Sequence, residues 1–231
     1  MVATPVPRPQ EPAMRLGPAS ALGAMAGLAL LASCASAQLG GWGAPTGARY
    51  ALDGTSRSAS SECDPSVMVR YRSRTLRTSS GVRVHPAFAE RIPELDRVAR
   101  EVAVEFYGRP PRRMLTVGGY NCRSIRGRSD RISEHALGNA LDVSGFDFAG
   151  LRRRDDAPDD LPRRLRRGFS VTVGHDWVRA GEVGAYHGRF LRTLVARLVR
   201  EDVFRVIYGP AHPGHTGHFH FDMSPFRWIH V

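Results

Sequence analysis

Lysine is missing from this chain: all 33 of its basic residues are arginine, against 22 acidic ones. The formal charge of +11 would suggest nucleic acid as a partner. A cation inventory made of arginine alone reads as codon bias as much as selection for phosphate, and no nucleic acid is expected. Attraction to an anionic polymer or lipid surface stays open. Also missing are any internal repeat, any coiled-coil heptad and any apolar run long enough for a confident membrane span. What remains is 231 residues, 42% of them hydrophobic, enough to bury one core of about 150 residues with extensions.

The first extension carries an address. Arg8 and Arg15 precede a Gly/Ala-rich apolar run, residues 16–32, which suits a secretory leader. It ends in Leu31-Ala32-Ser33-Cys34, a pattern that resembles a bacterial lipobox, in which the cysteine is lipidated and becomes the mature N-terminus. Cleavage after Ala35-Ser36-Ala37 competes with it and would release a soluble protein. Both routes export the chain and make a disulfide permissible. With Cys34 lipidated, Cys63 and Cys122 remain as a pair that is either bridged, contributing on the order of 4 kcal/mol in the chain-entropy model, or left as two thiols.

Residues 1–33 thus read as a lipoprotein-type signal peptide, residues 34–80 as a Gly/Ser/Thr/Arg-rich tether and irregular lead-in that first docks at Cys63, and residues 81–231 as the domain. Val82 and Val84 suggest a short strand. Leu95, Val98, Ala99, Val102, Ala103 and Phe106 recur at helical spacing, with Pro93 in the first turn and Gly108 and Pro110 as the stop. Residues 114–120 are a strand candidate. Residues 152–167, charged in both signs and holding two prolines, read as a solvated loop. Phe169, Val171 and Val173 alternate as a strand, residues 183–198 carry a second amphipathic helix, and residues 203–208 another strand.

Chemistry concentrates in two stretches. In Ser133-Glu134-His135-Ala136-Leu137-Gly138-Asn139-Ala140-Leu141-Asp142 there is room for one helical turn before the chain extends, placing His135 at a turn and Asp142 on a strand. In His215-Thr-Gly-His218-Phe-His220-Phe-Asp222, strand alternation puts His218, His220 and Asp222 on one face and Phe219, Phe221 and Met223 on the other. Four of the nine histidines fall within residues 212–220. His135, Asp142 and His220 would give a zinc ion two imidazoles, one carboxylate and an open position, bringing bound water toward a pKa near ~7.

These motifs resemble the zinc signature of the D-Ala-D-Ala peptidase, lysostaphin and hedgehog superfamily. With Gly119-Tyr120-Asn121-Cys122-Arg123 and Tyr208-Gly209-Pro210 added, the chain resembles more closely the bacterial extensin-like C-terminal family, over residues 63–222. The resemblance implies Zn2+ held by His135, Asp142 and His220, with His218 as general base or proton shuttle. It implies further that His215 assists in the active site and that Arg123 holds a substrate carboxylate or the developing oxyanion, although a structural salt bridge is the other reading of Arg123. Relatives often carry two further cysteines absent here, which leaves Cys63–Cys122 as the surviving bridge. No Ser-Pro-Pro-Pro repeat of plant extensins occurs.

The expected fold is α+β, a small antiparallel sheet carrying the zinc site and flanked by helices. The expected function is hydrolysis of an amide in the peptide part of peptidoglycan by a metallopeptidase anchored through Cys34 on the periplasmic face of a membrane, the outer one where the cell has two. The rivals are a wall-binding or scaffolding lipoprotein with structural or vestigial zinc, and a basic nucleic-acid binder.

Overall fold

A computed structural model describes residues 50–59 and 63–231; Cys34 and the apolar run before it lie outside the described residues. The elements are β1 (Val69–Arg70), β2 (Arg77–Thr78), β3 (Arg83–Val84), α1 (Pro86–Ala89), α2 (Ile92–Tyr107), β4 (Arg113–Gly118), β5 (Ser124–Ile125), β6 (Arg128–Ile132), β7 (Ala140–Phe148), β8 (Phe169–Thr172), α3 (Val173–Asp176), α4 (Glu182–Arg200), β9 (Val206–Tyr208), β10 (Phe219–Asp222) and β11 (Trp228–His230). No helix among the described residues is long and apolar enough to cross a membrane.

The architecture is α+β, around a seven-stranded sheet in the order β11-β9-β10-β7-β4-β2 with β8 paired to β7. Its centre is antiparallel as expected, but the sheet is larger than the sequence suggested, and both outermost pairs, β11 with β9 and β2 with β4, run parallel. Those edge strands are two and three residues long, too short for alternation to reveal them.

The two long helices follow their apolar spacing. α2 buries Ile92, Leu95, Val98, Ala99, Val102 and Ala103, and α4 buries Phe190, Leu191, Leu194 and Leu198; these join Leu141, Val143, Phe146, Phe219 and Phe221 of the sheet in one core. Both helices therefore cover the same face, and the opposite face is left for polar side chains.

Strand β7 keeps its apolar residues on the helix face only by changing phase. Leu141 and Val143 are odd-numbered, Phe146 and Phe148 even-numbered, and all four are buried in the core. Against β4, Leu115 pairs with Gly145 and Thr116 with Val143, so Ser144 is the extra residue of a β-bulge. Glycine is required at 145, because a Cβ there would stand 2.1 Å from the Val171 carbonyl oxygen. The bulge lets Asp142 and Phe146, both even, face opposite sides of one sheet.

Three other segments differ from expectation. The lead-in docks before Cys63: Leu52 is buried, Asp53 pairs with Arg205, and Arg57 pairs with Glu134. Strand β8 stops at Thr172, whose backbone N–H donates to Asp176 Oδ2 at 2.9 Å, so Val173 opens a helical turn rather than extending. The charged loop of residues 152–167 is pinned rather than loose. Leu161 and Leu165 are buried in it, and the buried Arg109 guanidinium donates to the Leu165 and Arg167 carbonyls.

Candidate metal centre

Register assembles the centre. His220 of β10 lies opposite Asp142 of β7 on one side and Tyr208 of β9 on the other, Gly118 of β4 pairs with Asp142, and His230 of β11 pairs with Tyr208. One cross-strand row thus runs Gly118, Asp142, His220, Tyr208, His230, so that adjacent side chains along it are neighbours. Gly118 has to be glycine: a Cβ there would meet Asp142 Oδ2 at 2.6 Å.

His135 arrives from outside the row. It sits in the single helical turn Glu134–Leu137, capped by Ser133 Oγ accepting from the His135 N–H at 3.3 Å. Glu134 anchors that turn by pairing with Arg57 and accepting from Asn139 Nδ2 at 2.7 Å.

The result is a buried group of three in which His135 Nε2 lies 3.1 Å from His220 Nδ1 and 3.2 Å from Asp142 Oδ2, and His220 Nδ1 lies 3.0 Å from Asp142 Oδ1. The partners on the far side of each ring decide what these atoms can do. His135 Nδ1 faces the Gly119 carbonyl oxygen at 2.7 Å, which can only accept, so the proton sits on Nδ1 and Nε2 presents a lone pair. His220 Nε2 faces Asp222 Oδ2 at 2.8 Å, so its proton sits there and Nδ1 presents a lone pair. Asp222 is itself held by the Ser224 N–H, which donates to Oδ1 at 2.8 Å.

Two imidazole lone pairs and a carboxylate therefore converge with no donor of their own between them. Such a cluster needs a positive charge at its centre. A proton can supply it: burial opposes a charged His220, but the carboxylates of Asp142 and Asp222 outweigh burial and push the imidazole up to about 9. Burial likewise acts against ionised Asp142, yet the neighbouring imidazoles of His135 and His220 hold its carboxyl far below the usual range. A metal ion can supply the charge too. Imidazole and carboxylate ligands about 2.0–2.1 Å from one tetrahedral ion sit about 3.3 Å apart, close to the separations here. Each imidazole also has the carbonyl or carboxylate partner that orients metal-ligating histidines. His135, Asp142 and His220 could bind a metal.

The other sequence candidates surround this group without entering it. His218 Nε2 stands 3.8 Å from Asp142 Oδ1, beyond hydrogen-bonding range, and burial lowers its pKa against the raising effect of Asp142. His215 lies one ring further out, 5.0 Å from His218 and 5.6 Å from His220 between centroids; burial brings its pKa down to about 4, and its Nδ1–H donates to the Pro213 carbonyl at 3.0 Å. Arg123 is exposed, with a long contact to the Ser124 carbonyl oxygen. All line a cleft of about 1220 Å³ that opens over the metal group. Cys63 and Cys122 are bridged, their Cα atoms 5.7 Å apart, one residue before Arg123.

Sequence reasoning left several contributors unassigned. Asp222 was placed on the right face but given no task, although alternation from His220 already pointed it at the same side. Tyr208 stacks on His220, centroids 5.5 Å apart and planes 19° off parallel, and on its other side lies His212 at 3.8 Å and 9°. His212 in turn meets His230, Nδ1 to Nδ1 at 3.2 Å.

The fold and the centre together define an α+β protein with a buried two-histidine, one-aspartate group suited to a metal ion. Residues 47–159 match the family model for the extensin-like protein C-terminus, which supports the extensin-like family for this chain. The matched segment contains Cys63, Cys122, Arg123, His135 and Asp142, and it is the fold that adds His218 and His220 from beyond it. No curated protein and no solved structure matches the chain.

Proposed function

We propose that this protein is an exported zinc-dependent hydrolase of amide bonds in the peptide part of peptidoglycan, related to the D-Ala-D-Ala peptidase, lysostaphin and hedgehog superfamily. The observation that carries the reading is the donor-free convergence of His135 Nε2, His220 Nδ1 and Asp142 on the floor of an open cleft, with an uncommitted imidazole, His218, alongside. A metal serving only structure has no use for an open cleft and a spare base.

When bound there, zinc supplies Lewis-acid polarisation of a carbonyl and lowers the pKa of water. The chain does the rest. His218, kept neutral by burial, takes the proton of the attacking water and returns it to the leaving amine, so that the acyl carbon gains OH and the nitrogen gains H. For steadying the oxyanion Arg123 is better suited than His215. The Pro213 carbonyl holds the His215 proton on Nδ1, leaving Nε2 as an acceptor, whereas Arg123 presents guanidinium N–H groups to the cleft. Asp222 fixes the tautomer of His220, and Gly119 that of His135.

The same proposal has Cys34 lipidated and the protein held at the periplasmic face of a membrane; finding a soluble mature N-terminus at Gln38 would remove the anchor from the account. The hydrolase is tested by incubating zinc-loaded protein with purified sacculi and analysing the peptides by mass spectrometry. New fragments that require zinc and disappear with His135→Ala are expected. Retained zinc and sacculus binding with no cleavage of any peptide would replace the hydrolase with a wall-binding scaffold.

A further inference from the structure

The cleft has a second wall that the hydrolysis does not use. It is the separate two-stranded hairpin of β5 and β6, whose Arg126, Arg128 and Arg131 line the same cavity as His135, Asp142 and His220. We infer that this hairpin is a substrate arm whose three arginines take carboxylates of a peptide lying along the cleft, so that the protein selects anionic peptides over their amidated counterparts. The inference rests on the peptide-amide reading of the metal centre and adds the substrate class that it favours.

Charge supplies the first argument. Residues 123–131 hold four arginines and one aspartate, and every one of them is exposed. Among the described residues neither Arg126 nor Arg131 meets a carboxylate within salt-bridge distance, and Arg128 has only the equally exposed Asp130 at 3.4 Å. Among the described residues the cleft offers them no free counter-ion. Glu134 is tied to Arg57 and Asn139, Asp142 to both ligand imidazoles, and Asp222 to His220 and the Ser224 N–H.

Positioning supplies the second. A loose basic loop would lose much of its attraction to the entropy of ordering, but this one is tied down at its base. The Cys63–Cys122 bridge sits just before β5, the Ser133 N–H donates to the Arg123 carbonyl, and the lead-in lies alongside β6, with Ala59 N–H donating to Asp130 O and Ile132 N–H to Arg57 O. Ser58 and Arg131 form the bridge between the two segments.

Size and polarity supply the third. At about 1220 Å³ the cleft is larger than one amide requires, so the ligand extends beyond the bond at the metal group. Phe226 and Trp228, each about half exposed at 45% and 46%, add apolar surface to the same lining. Guanidinium forks beside an apolar rim suit a peptide that alternates carboxylates with methyl-bearing residues, while a phosphate polymer would leave that rim unused.

The test is a binding measurement on the zinc-loaded protein, using the tetrapeptide L-Ala-D-Glu-diaminopimelate-D-Ala with its side carboxylates free or amidated, and inorganic polyphosphate as a competitor. The free acid is expected to bind about tenfold more tightly at low salt, with the gap closing as salt is added. Arg126→Gln/Arg128→Gln/Arg131→Gln should abolish the gap while binding the amidated peptide as wild type does and keeping its zinc and melting temperature. Equal wild-type affinity for the two peptides, no measurable affinity for either, or a gap that survives the triple variant overturns the arm. So does polyphosphate binding more tightly than the acid peptide with the same sensitivity to the variant, which would make the hairpin a phosphate-polymer site. Cleavage of sacculi without preference for the acid form sinks the arm and leaves the hydrolase standing; acid preference in binding without cleavage does the reverse.

Discussion

The two walls of the cleft are built on opposite principles. On the sheet wall Asp142, His220 and Asp222 are largely buried, register sets Asp142 opposite His220, and Asp222 is held locally by His220 and the Ser224 N–H. On the hairpin wall Arg126, Arg128 and Arg131 are exposed, and among the described residues only Arg128 meets a carboxylate, that of the equally exposed Asp130. A buried acceptor cluster is costly unless a cation completes it, so its geometry has to be set in advance by the fold. Exposed guanidinium groups cost nothing while solvated and need only be held near an incoming anion. In the proposed account the sheet wall takes one small ion in one position, and the hairpin wall a larger anion that comes and goes.

The comparison breaks most sharply if a ligand is removed from the sheet wall. His220→Ala should lower zinc affinity by several orders of magnitude and abolish activity, read by metal analysis after dialysis against a weak chelator. Next comes His218→Ala, which should keep close to one zinc per chain while turnover falls by about 10²–10⁴, the loss expected for a positioned acid–base group. The opposite pattern in these two variants would exchange the roles of the two histidines. Asp222→Ala should weaken zinc by about 10–100-fold without removing it, because it only orients and polarises His220; an unchanged zinc titration would mean that the tautomer is set by something else.

On the hairpin side the largest stability effect concerns its base. Cys63→Ser/Cys122→Ser should destabilise the protein by up to about 4 kcal/mol in thermal or denaturant unfolding and speed amide exchange in residues 123–132 more than in β7. Uniform exchange along the chain would show that the bridge does not hold the arm.

The two walls also differed in how far the sequence revealed them. Alternation in residues 218–223 was enough to place His220 and Asp222 on one face and Phe219 and Phe221 on the other, because strict polar–apolar alternation admits a single reading even in a strand buried on both faces. The apolar spacing in α2 and α4 was as plain. What stayed hidden were features set by pairing rather than by pattern. The Ser144 bulge showed only as a change of phase from Leu141 and Val143 to Phe146 and Phe148. The parallel edge strands were too short to display a period. The hairpin, polar or charged at most positions, has no apolar repeat from which its strands could be read. The early docking at Leu52 and Asp53 escaped because Gly/Ser-rich segments carry little signal of what they touch, here Arg205 and the core.

The central claim is that the sheet wall holds an ion between His135, Asp142 and His220. X-ray absorption spectroscopy on the zinc-loaded protein tests it most directly, with anomalous diffraction to place the ion. The account predicts one zinc bound through His135 Nε2, His220 Nδ1 and an Asp142 oxygen at about 2.0–2.1 Å. A zinc ion found instead among His212, His215 and His230, or a centre that stays empty in the presence of excess zinc, would contradict it.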